Sequence, residues 1–276
     1  MATYAQEVDV VQSTVSDIPV VIPCGGQGTR IREASDKLPK PMISVGGRPI
    51  LWHIMKMYSH HGFRRFVLPA GYKAGLIKEY FLHYREQHAD FTIELGSHQP
   101  ATFHNADEAE DWEVTVVETG EQTETAARLS KVRQFLDADT FMLTYGDGVS
   151  DVDLTALLEH HRSHDLIGTV TAVHPVSRFG ELKTDDHSVT EFMEKPVIDA
   201  GWINGGFFAF DAAFLDYVND DSAMLESDPL PKLTSEGKLS MYRHEGFWRS
   251  MDTYREYIEL NGLWDRGQAD WKTWSD

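Results

Sequence analysis

Apolar positions along the chain alternate between short β-branched runs and longer stretches with helical spacing. The run IPVVIPC at residues 18–24 is typical of a buried strand. Residues 49–61 open on proline and keep apolar side chains at helical spacing, which predicts a helix. Residues 64–70 predict the next strand and residues 73–88 the next helix. This alternation predicts an α/β fold with a largely parallel sheet and helices on both faces.

The same pattern continues, less regularly, toward the C-terminus. Residues 96–112 are polar and acidic and predict a long surface excursion. Residues 1–17 lack periodicity and are interpreted as a partly ordered extension. We therefore expect residues 18–276 to form a single domain with a C-terminal elaboration. The remaining predicted strands are 91–95, 113–118, 139–145, 167–173, 189–193, 203–210 and 239–243, and the remaining predicted helices are 125–136, 152–163 and 253–265.

Length and composition narrow the class of protein. The 276 residues suffice for one large α/β domain or two small ones. No apolar run approaches the ~18 residues that span a bilayer, and the N-terminal sequence has neither the basic nor the apolar region of a signal peptide. Cys24 is the single cysteine, so no internal disulfide can form. We expect a cytoplasmic protein without a membrane partner, because a lone thiol fits a reducing compartment.

Charge is distributed unevenly. The formal net charge of −19 argues against nucleic acid as a partner, since phosphate backbones attract basic surfaces. Residues 25–48 form a local exception that would suit a bound phosphate. The alternative is a solvated basic loop. In this segment Glu33 and Asp36 are outnumbered by Arg30, Arg32, Lys37, Lys40 and Arg48.

A glycine-rich loop, GGQGTR at residues 25–30, follows the first predicted strand. Glycines let backbone N–H groups approach an anion closely, and Arg30 adds a planar fork for phosphate oxygens. The loop matches neither GxGxxG, because residue 31 is isoleucine, nor GxxxxGK[ST]. The sequence therefore supports neither a dinucleotide-binding fold nor a P-loop, and a tight turn is the alternative interpretation.

Two further residues have local contexts that suit phosphate chemistry. Lys40 lies in PKPM, where prolines on both sides stiffen the backbone that carries it. Asp147 ends the apolar run FMLTYGD, and ligands of open α/β sheets bind at the carboxyl ends of the strands. Taken alone, Lys40 could be a surface lysine and Asp147 a turn former. Cys24 is interpreted chiefly as a small buried residue, with a reactive thiol as the alternative.

Several motifs in order give the chain a specific resemblance. GGQGTR, PKPM and GGRPILWHIMKMYSHHGF are followed by GYK (71–73), FMLTYGDG (141–148), RFG (178–180), EKP (194–196), INGGFF (203–208), GFWRSMDT (246–253) and WKTW (271–274). Together they resemble the sugar-phosphate nucleotidyltransferase family over about residues 18–275. The resemblance implies a Rossmann-like, mixed but mostly parallel sheet of the nucleotide-diphospho-sugar transferase type. It also implies transfer of a nucleotide to a hexose 1-phosphate with release of pyrophosphate.

The resemblance assigns roles to individual residues. Asp147 and Asp252 would hold Mg²⁺, which commonly takes one or two carboxylates plus substrate phosphates. Arg30, Lys40 and Lys195 would be the catalytic cations. The predicted sugar-phosphate site comprises Gly180, Glu194, Lys195 and Asn204. The predicted nucleotide site comprises Gly25, Gly26, Gly28, Thr29, Arg30, Lys40, Gly71, Thr119, Thr125, Arg128 and Gly146.

The resemblance extends to substrates and assembly. It implies CTP and glucose 1-phosphate as the preferred pair, for deoxysugar or surface-polysaccharide synthesis, and a homo-oligomer. The alternatives are UTP, dTTP or another hexose 1-phosphate, and a non-catalytic sugar-nucleotide sensor. The chain departs from the family at Ala126 and Ala127, where glycines are usual. The added methyl groups would restrict the backbone beside the expected base pocket.

Overall fold

A computed structural model describes residues 14–26, 31, 38–96, 100–104, 110–175, 181–185, 188–193, 201–219 and 221–275. Its helices are α1 (Ile50–His60), α2 (Ala74–Leu82), α3 (Tyr84–His88), α4 (Thr125–Val132), α5 (Leu154–Arg162), α6 (Pro229–Ser235) and α7 (Tyr254–Asp265). The strands are β1 (Pro19–Val21), β2 (Ser44–Val45), β3 (Arg48–Pro49), β4 (Arg65–Ala70), β5 (Asp90–Thr92), β6 (Thr102–His104), β7 (Glu113–Glu118), β8 (Thr140–Thr144), β9 (Gly148–Ser150), β10 (Gly168–Val173), β11 (Glu181–Asp185), β12 (Ser188–Met193), β13 (Ile203–Asp211), β14 (Leu239–Arg243) and β15 (Trp248–Ser250).

The central sheet has seven strands in the order β14-β10-β13-β8-β1-β4-β7. The pairs of β1 with β4, β1 with β8, β4 with β7 and β10 with β14 are parallel. Strand β13 runs antiparallel to both of its neighbours, β8 and β10. The predicted mixed, mostly parallel sheet is therefore confirmed.

Side chains that alternate along the central strands build a separate core on each face of the sheet. In β1, Val20 belongs to one core and Val21 to the other, as the period of two requires. Helix α1 supplies Ile54 and Met55 to the first core. Helix α4 supplies Leu129 to the second, so helices cover both faces as predicted.

The structure departs from the predicted elements mainly where segments are short. The helix expected over residues 73–88 is two helices that meet at His83, whose φ of −108° and ψ of 19° are not helical. Part of the expected excursion is strand β6, which pairs with β5 as a hairpin. Two- and three-residue strands such as β2, β3, β9 and β15 are too short to show a period, and the sequence did not predict them.

The C-terminal segment packs back against α1. Trp274 and Trp52 lie with ring centroids 5.8 Å apart, and the Trp271 indole N–H donates to Nδ1 of the buried His53 at 3.4 Å. Burial lowers the pKa of His53 to about 4, so the ring is neutral and can accept this bond. Both tryptophans of the WKTW motif therefore pack into the same core as helix α1.

Candidate active site

One cavity opens where the central strands end in the same direction. Parallel strands β1 and β8 place the segments after Val21 and Thr144 side by side at this edge. The cavity volume is about 550 Å³, within the range of small-molecule sites. Its lining is Pro23, Gly25, Gly26, Lys40, Pro41, Thr125, Arg128, Thr144, Tyr145, Gly146, Asp147, Gly148, Asn204, Gly205, Gly206, Met224, Glu226, Trp248, Ser250 and Asp252.

Lys40 lies between two carboxylates in this cavity. Its ammonium is 2.5 Å from Asp147 Oδ2 and 2.8 Å from Asp252 Oδ1. The residue begins a 3₁₀ turn, Lys40–Met42, in which Pro41 and Met42 are buried and fix the backbone. Burial lowers the pKa of Lys40, but attraction and hydrogen bonds from Asp147 and Asp252 outweigh it, so the net pKa is raised. The lysine is therefore a permanent cation held in one place.

A small accessory sheet brings the two aspartates together. Asp147 lies directly before β9, and Asp252 lies two residues after β15. These strands pair antiparallel, with Gly148 opposite Ser250, and the Met251 amide donates to the Asp147 carbonyl at 2.9 Å. Residues more than a hundred positions apart in sequence thus present both carboxylates to one point.

The N-terminus of α7 fixes Asp252. Glu256 accepts hydrogen bonds from the amides of Asp252 and Thr253 at 2.7 and 2.8 Å. The Thr253 side chain in turn accepts from the Glu256 amide, which completes a capping box. Asp252 is therefore positioned by a helix cap and not by packing of its own side chain, which is 28% exposed.

The two carboxylates fit a divalent cation. Oxygen atoms from both already approach a single positive charge, and Mg²⁺ is commonly bound by one or two carboxylates with water and substrate phosphates. No cluster of three potential metal-ligating side chains occurs among the residues that the structure describes. A cation here would therefore depend on oxygens supplied by the substrates.

On the β1 and β4 side, Arg128 joins three backbone segments. Its Nη1 donates to Thr119 Oγ1 at 2.5 Å and to the Gly120 carbonyl at 2.9 Å, and its Nη2 donates to the Gly25 carbonyl at 3.4 Å. The residue is only 4% exposed. Its Nη1 also lies 3.4 Å from the Ala70 carbonyl, so the guanidinium holds Gly25 against the end of β4 and the segment that follows β7.

Several predicted nucleotide-site residues surround this guanidinium. A Cβ on Gly25 would lie 2.0 Å from Arg128 Cζ, and one on Gly71 would lie 2.6 Å from Nη1, so a side chain at either position would displace the guanidinium. Thr119 also donates to the Ala70 carbonyl at 2.9 Å, and Thr125 begins α4. The structure thus brings these four residues together with Arg128. Gly26 and Gly146 line the same cavity.

The family departure at Ala126 and Ala127 lies on the buried side of α4. Their exposures are 0% and 2%, and the Ala126 amide donates to the Ala223 carbonyl at 3.1 Å. Alanine favours a helix over glycine by about 1 kcal/mol per residue. The methyl groups therefore stabilise the helix, and neither residue lines the main cavity.

On the β8 and β13 side, Asn204, which is predicted to bind the sugar, lies near the start of β13. Its Oδ1 accepts from the Gly206 amide at 2.8 Å, and its Nδ2 lies 3.3 Å from the Tyr145 hydroxyl. The Trp248 indole N–H donates to the Gly205 carbonyl at 2.7 Å and fixes the neighbouring backbone.

Some predicted site residues lie outside the described residues, and their roles stay predictions. They are Gly28, Thr29, Arg30, Gly180, Glu194 and Lys195. Conversely, the sequence did not point to Met224 or Glu226, which lie in an irregular segment before α6. Tyr145 lay inside a quoted motif but had no predicted role.

Chemistry distinguishes this cavity from a second one of about 530 Å³ beside the edge strand β7. That cavity is walled by apolar side chains such as Phe81, Leu82 and Trp112, and it has no pair of converging carboxylates. Cys24 is fully buried, and desolvation raises its pKa to about 12, so it is an inert packed thiol.

A family model described as nucleotidyl transferase matches residues 19–266. The chain belongs to the nucleotidyl transferase family. It is 43% identical to the glucose-1-phosphate cytidylyltransferase of Salmonella typhi, over 92% of this chain and 98% of that one. It is 42% identical to a probable glucose-1-phosphate cytidylyltransferase of Bacillus subtilis, over 92% and 99%. These matches confirm the predicted family membership.

A solved structure shares the fold. HddC from Yersinia pseudotuberculosis, complexed with GMP-PN, superposes with a TM-score of 0.65 at 23% identity, covering 90% of this chain and 99% of that one. The likeness confirms the nucleotide-diphospho-sugar transferase type of fold. None of the described helices is both long and apolar enough to cross a membrane.

Proposed function

We propose that this protein is a glucose-1-phosphate cytidylyltransferase, which converts CTP and α-D-glucose 1-phosphate into CDP-glucose and pyrophosphate. The observation that carries the proposal is Lys40 held between Asp147 and Asp252 at the strand ends of a nucleotidyl transferase fold. The identities of 42–43% over nearly the full length of cytidylyltransferases support the choice of substrates.

The reaction needs no covalent protein nucleophile. A sugar-phosphate oxygen is already anionic and attacks the α-phosphorus of CTP in line. The new bond joins that oxygen to the α-phosphorus, and the bond from the α-phosphorus to the bridging oxygen breaks, so pyrophosphate leaves. The barrier is repulsion between anions and the charge that develops on the transferring group, so positioned cations supply most of the catalysis.

The described residues have distinct tasks in this reaction. Asp147 and Asp252 would hold Mg²⁺, which when bound neutralises phosphate charge and orients the reacting groups. Lys40 would leave the carboxylates and contact the triphosphate, where its ammonium offsets the charge of the departing pyrophosphate. Arg30 and Lys195 would add positive charge on the nucleotide and on the sugar phosphate. Glu194 and Asn204 would bind sugar hydroxyls, and Gly180 would allow their close approach.

Base selection is proposed for the loop around Arg128. Cytosine differs from uracil by an amino donor where uracil has a carbonyl acceptor, so a backbone carbonyl in residues 119–128 would favour cytosine. The guanidinium already donates to the Gly120 carbonyl of this loop, so a carbonyl that accepts from cytosine would have to be another one. A homo-oligomer remains part of the proposal.

A matrix of CTP, UTP, dTTP, ATP and GTP against several hexose 1-phosphates tests the function, with pyrophosphate release as the readout. We expect the highest kcat/KM for CTP with glucose 1-phosphate. A higher value for UTP or dTTP would refute the base assignment and leave the reaction class intact. Sugar-nucleotide binding without turnover for any pair would identify a sensor instead.

A further inference from the structure

One polar cluster in the cavity has a geometry that the roles above do not explain. The Tyr145 hydroxyl donates to Glu226 Oε1 and lies 3.3 Å from Asn204 Nδ2, from which it can accept. All three residues line the cavity. Glu226 and Tyr145 therefore form a hydrogen-bonded pair beside the asparagine of the predicted sugar site.

The backbone is shaped around this pair. Gly206 has a φ of +80°, and a Cβ there would lie 2.6 Å from Tyr145 Cδ2. Because Asn204 Oδ1 accepts the Gly206 amide, the amide group of Asn204 has a fixed orientation with its NH₂ toward Tyr145. The position of the tyrosine ring thus depends on a conformation that favours glycine.

The cluster lies on the side of the cavity where the sugar site is proposed. Tyr145 follows β8 and Asn204 lies on β13, whereas Gly25 and Arg128 lie toward β1 and β4. Glu226 arrives from the irregular segment before α6, whose Ala223 carbonyl anchors to the start of α4. This segment forms part of the cavity wall and places the Glu226 carboxylate against Tyr145.

The pair is complementary to a sugar hydroxyl. An ionised carboxylate only accepts hydrogen bonds, and a ring hydroxyl can donate one. Glu226 Oε1 is engaged by Tyr145, and Oε2 has no hydrogen-bond partner within the described part of the chain.

We propose that Glu226, oriented by Tyr145, accepts a hydrogen bond from a ring hydroxyl of the hexose 1-phosphate and helps to select the sugar. This inference rests on the proposed function for the identity of the substrates. Glu226 would touch the substrate, and Tyr145 would act as a positioning residue. Asn204 would offer a donor beside the same hydroxyl, which can both give and accept a hydrogen bond.

Steady-state kinetics of Glu226→Gln with CTP and glucose 1-phosphate test the inference. We expect KM for glucose 1-phosphate to rise about ten-fold or more, because a hydrogen bond to a charged group is lost. KM for CTP should change less than about two-fold. Glu236→Gln is a matched control, since Glu236 accepts from Tyr217 at 2.6 Å on a surface away from the cavity, and it should change neither constant.

A panel of monodeoxyglucose 1-phosphates identifies the hydroxyl. The analogue that lacks it should show almost the same kcat/KM with wild type and Glu226→Gln, whereas the other analogues should keep the ten-fold difference. Tyr145→Phe should raise KM for glucose 1-phosphate in the same direction by a smaller factor. If the ten-fold difference in kcat/KM between wild type and Glu226→Gln persisted with every sugar analogue, the assignment would be overturned. It would also be overturned if the difference disappeared with 2′- or 3′-deoxy-CTP, because Glu226 would then contact the ribose.

Wild-type turnover separates this inference from the proposed function. If wild type releases no pyrophosphate from CTP and glucose 1-phosphate, the proposed function fails, and the deoxy panel is built on the hexose that the substrate matrix identifies. Calorimetry adds a readout without turnover. Glu226→Gln should weaken binding of the sugar nucleotide about ten-fold and leave binding of the nucleoside diphosphate unchanged, and equal weakening of both would contradict the assignment.

Discussion

On the β1 and β4 side of the cavity a buried guanidinium is surrounded by backbone carbonyls, whereas on the β8 side a lysine faces two partly exposed carboxylates. Arg128 is 4% exposed and bonds to the segments that follow β1 and β7. The side chains of Asp147 and Asp252 are 26% and 28% exposed and make close contacts with the same ammonium. One side is packed around a fixed cation, and the other keeps its charged groups accessible.

Because of this difference, we expect substitutions on the two sides to affect different properties, stability on one side and turnover on the other. Buried carbonyls that lose their donor cost about 1–3 kcal/mol each, so changes around Arg128 should act on folding and on the shape of the nucleotide site. Ion pairs open to solvent contribute only about 0–1 kcal/mol to stability. Changes at the carboxylates should therefore spare the fold and remove activity.

Removing one carboxylate should have the largest effect on turnover. We expect Asp147→Asn to lower kcat by a factor of about 10²–10³ or more, because phosphate charge would no longer be neutralised at the point of transfer. The thermal unfolding midpoint should change little. Pyrophosphate release measures kcat, and thermal melts measure the unfolding midpoint. Wild type in EDTA should also release no pyrophosphate. Undiminished turnover in either experiment would refute the role of this pair.

Replacing the lysine should have the next largest effect. Lys40→Ala removes one charge-assisted phosphate contact, worth about 1.5–3 kcal/mol, so kcat/KM should fall at least about ten-fold. Arg30→Ala should have a similar effect. Lys56→Ala is the matched control, because Lys56 also pairs with a carboxylate, Glu110 at 2.7 Å, but lines no part of this cavity. Normal kinetics of both Lys40→Ala and Arg30→Ala would place the triphosphate elsewhere.

Two adjacent glycines test the packed side. Gly25→Ala puts a Cβ 2.0 Å from Arg128 Cζ, whereas Gly26→Ala meets no atom of the described residues within 4 Å. Overpacking costs about 1–3 kcal/mol, so we expect Gly25→Ala to lower the free energy of unfolding by that amount and to weaken CTP binding. Gly26→Ala should stay within about 0.5 kcal/mol of wild type. Urea denaturation measures both, and equal stability of the two variants would contradict the packing argument.

The sequence predicted the sheet and most of its helices because long elements carry a measurable period. It predicted Asp147 from its place at a strand end, and Asp252 only through the family resemblance. The pairing of β9 with β15, which joins these two residues, involves strands of three residues each. No period could reveal that contact.

Glu226 could not be predicted for a different reason. It lies in an irregular segment with neither a motif nor a period, and it reaches the cavity because the Ala223 carbonyl is bonded to the start of α4. The role of Arg128 as a bridge between backbone segments was equally hidden, since all its partners except the Thr119 hydroxyl are carbonyl groups that every residue type possesses. Long-range contacts made through the backbone leave little trace in side-chain patterns.

The smallest expected effect concerns the affinity for a divalent cation without nucleotide. The Lys40 ammonium lies 2.5 and 2.8 Å from the oxygens that would bind the metal, so it competes with a cation for them. Lys40→Met would remove this competing positive charge from between Asp147 and Asp252. We therefore expect Lys40→Met to bind Mn²⁺, used as a spectroscopic substitute for Mg²⁺, about three- to ten-fold more tightly than wild type. Electron paramagnetic resonance of free Mn²⁺ measures the affinity.

Lys40→Arg is the matched variant for this titration, because it keeps a positive charge beside the carboxylates and should bind Mn²⁺ within about two-fold of wild type. Adding CTP should reduce the advantage of Lys40→Met, since in wild type the triphosphate would attract Lys40 away from the carboxylates and supply oxygens to the metal. Identical Mn²⁺ affinities for wild type and Lys40→Met would mean that the lysine and the cation do not compete. The metal would then have to bind elsewhere in the cavity, and not at Asp147 and Asp252.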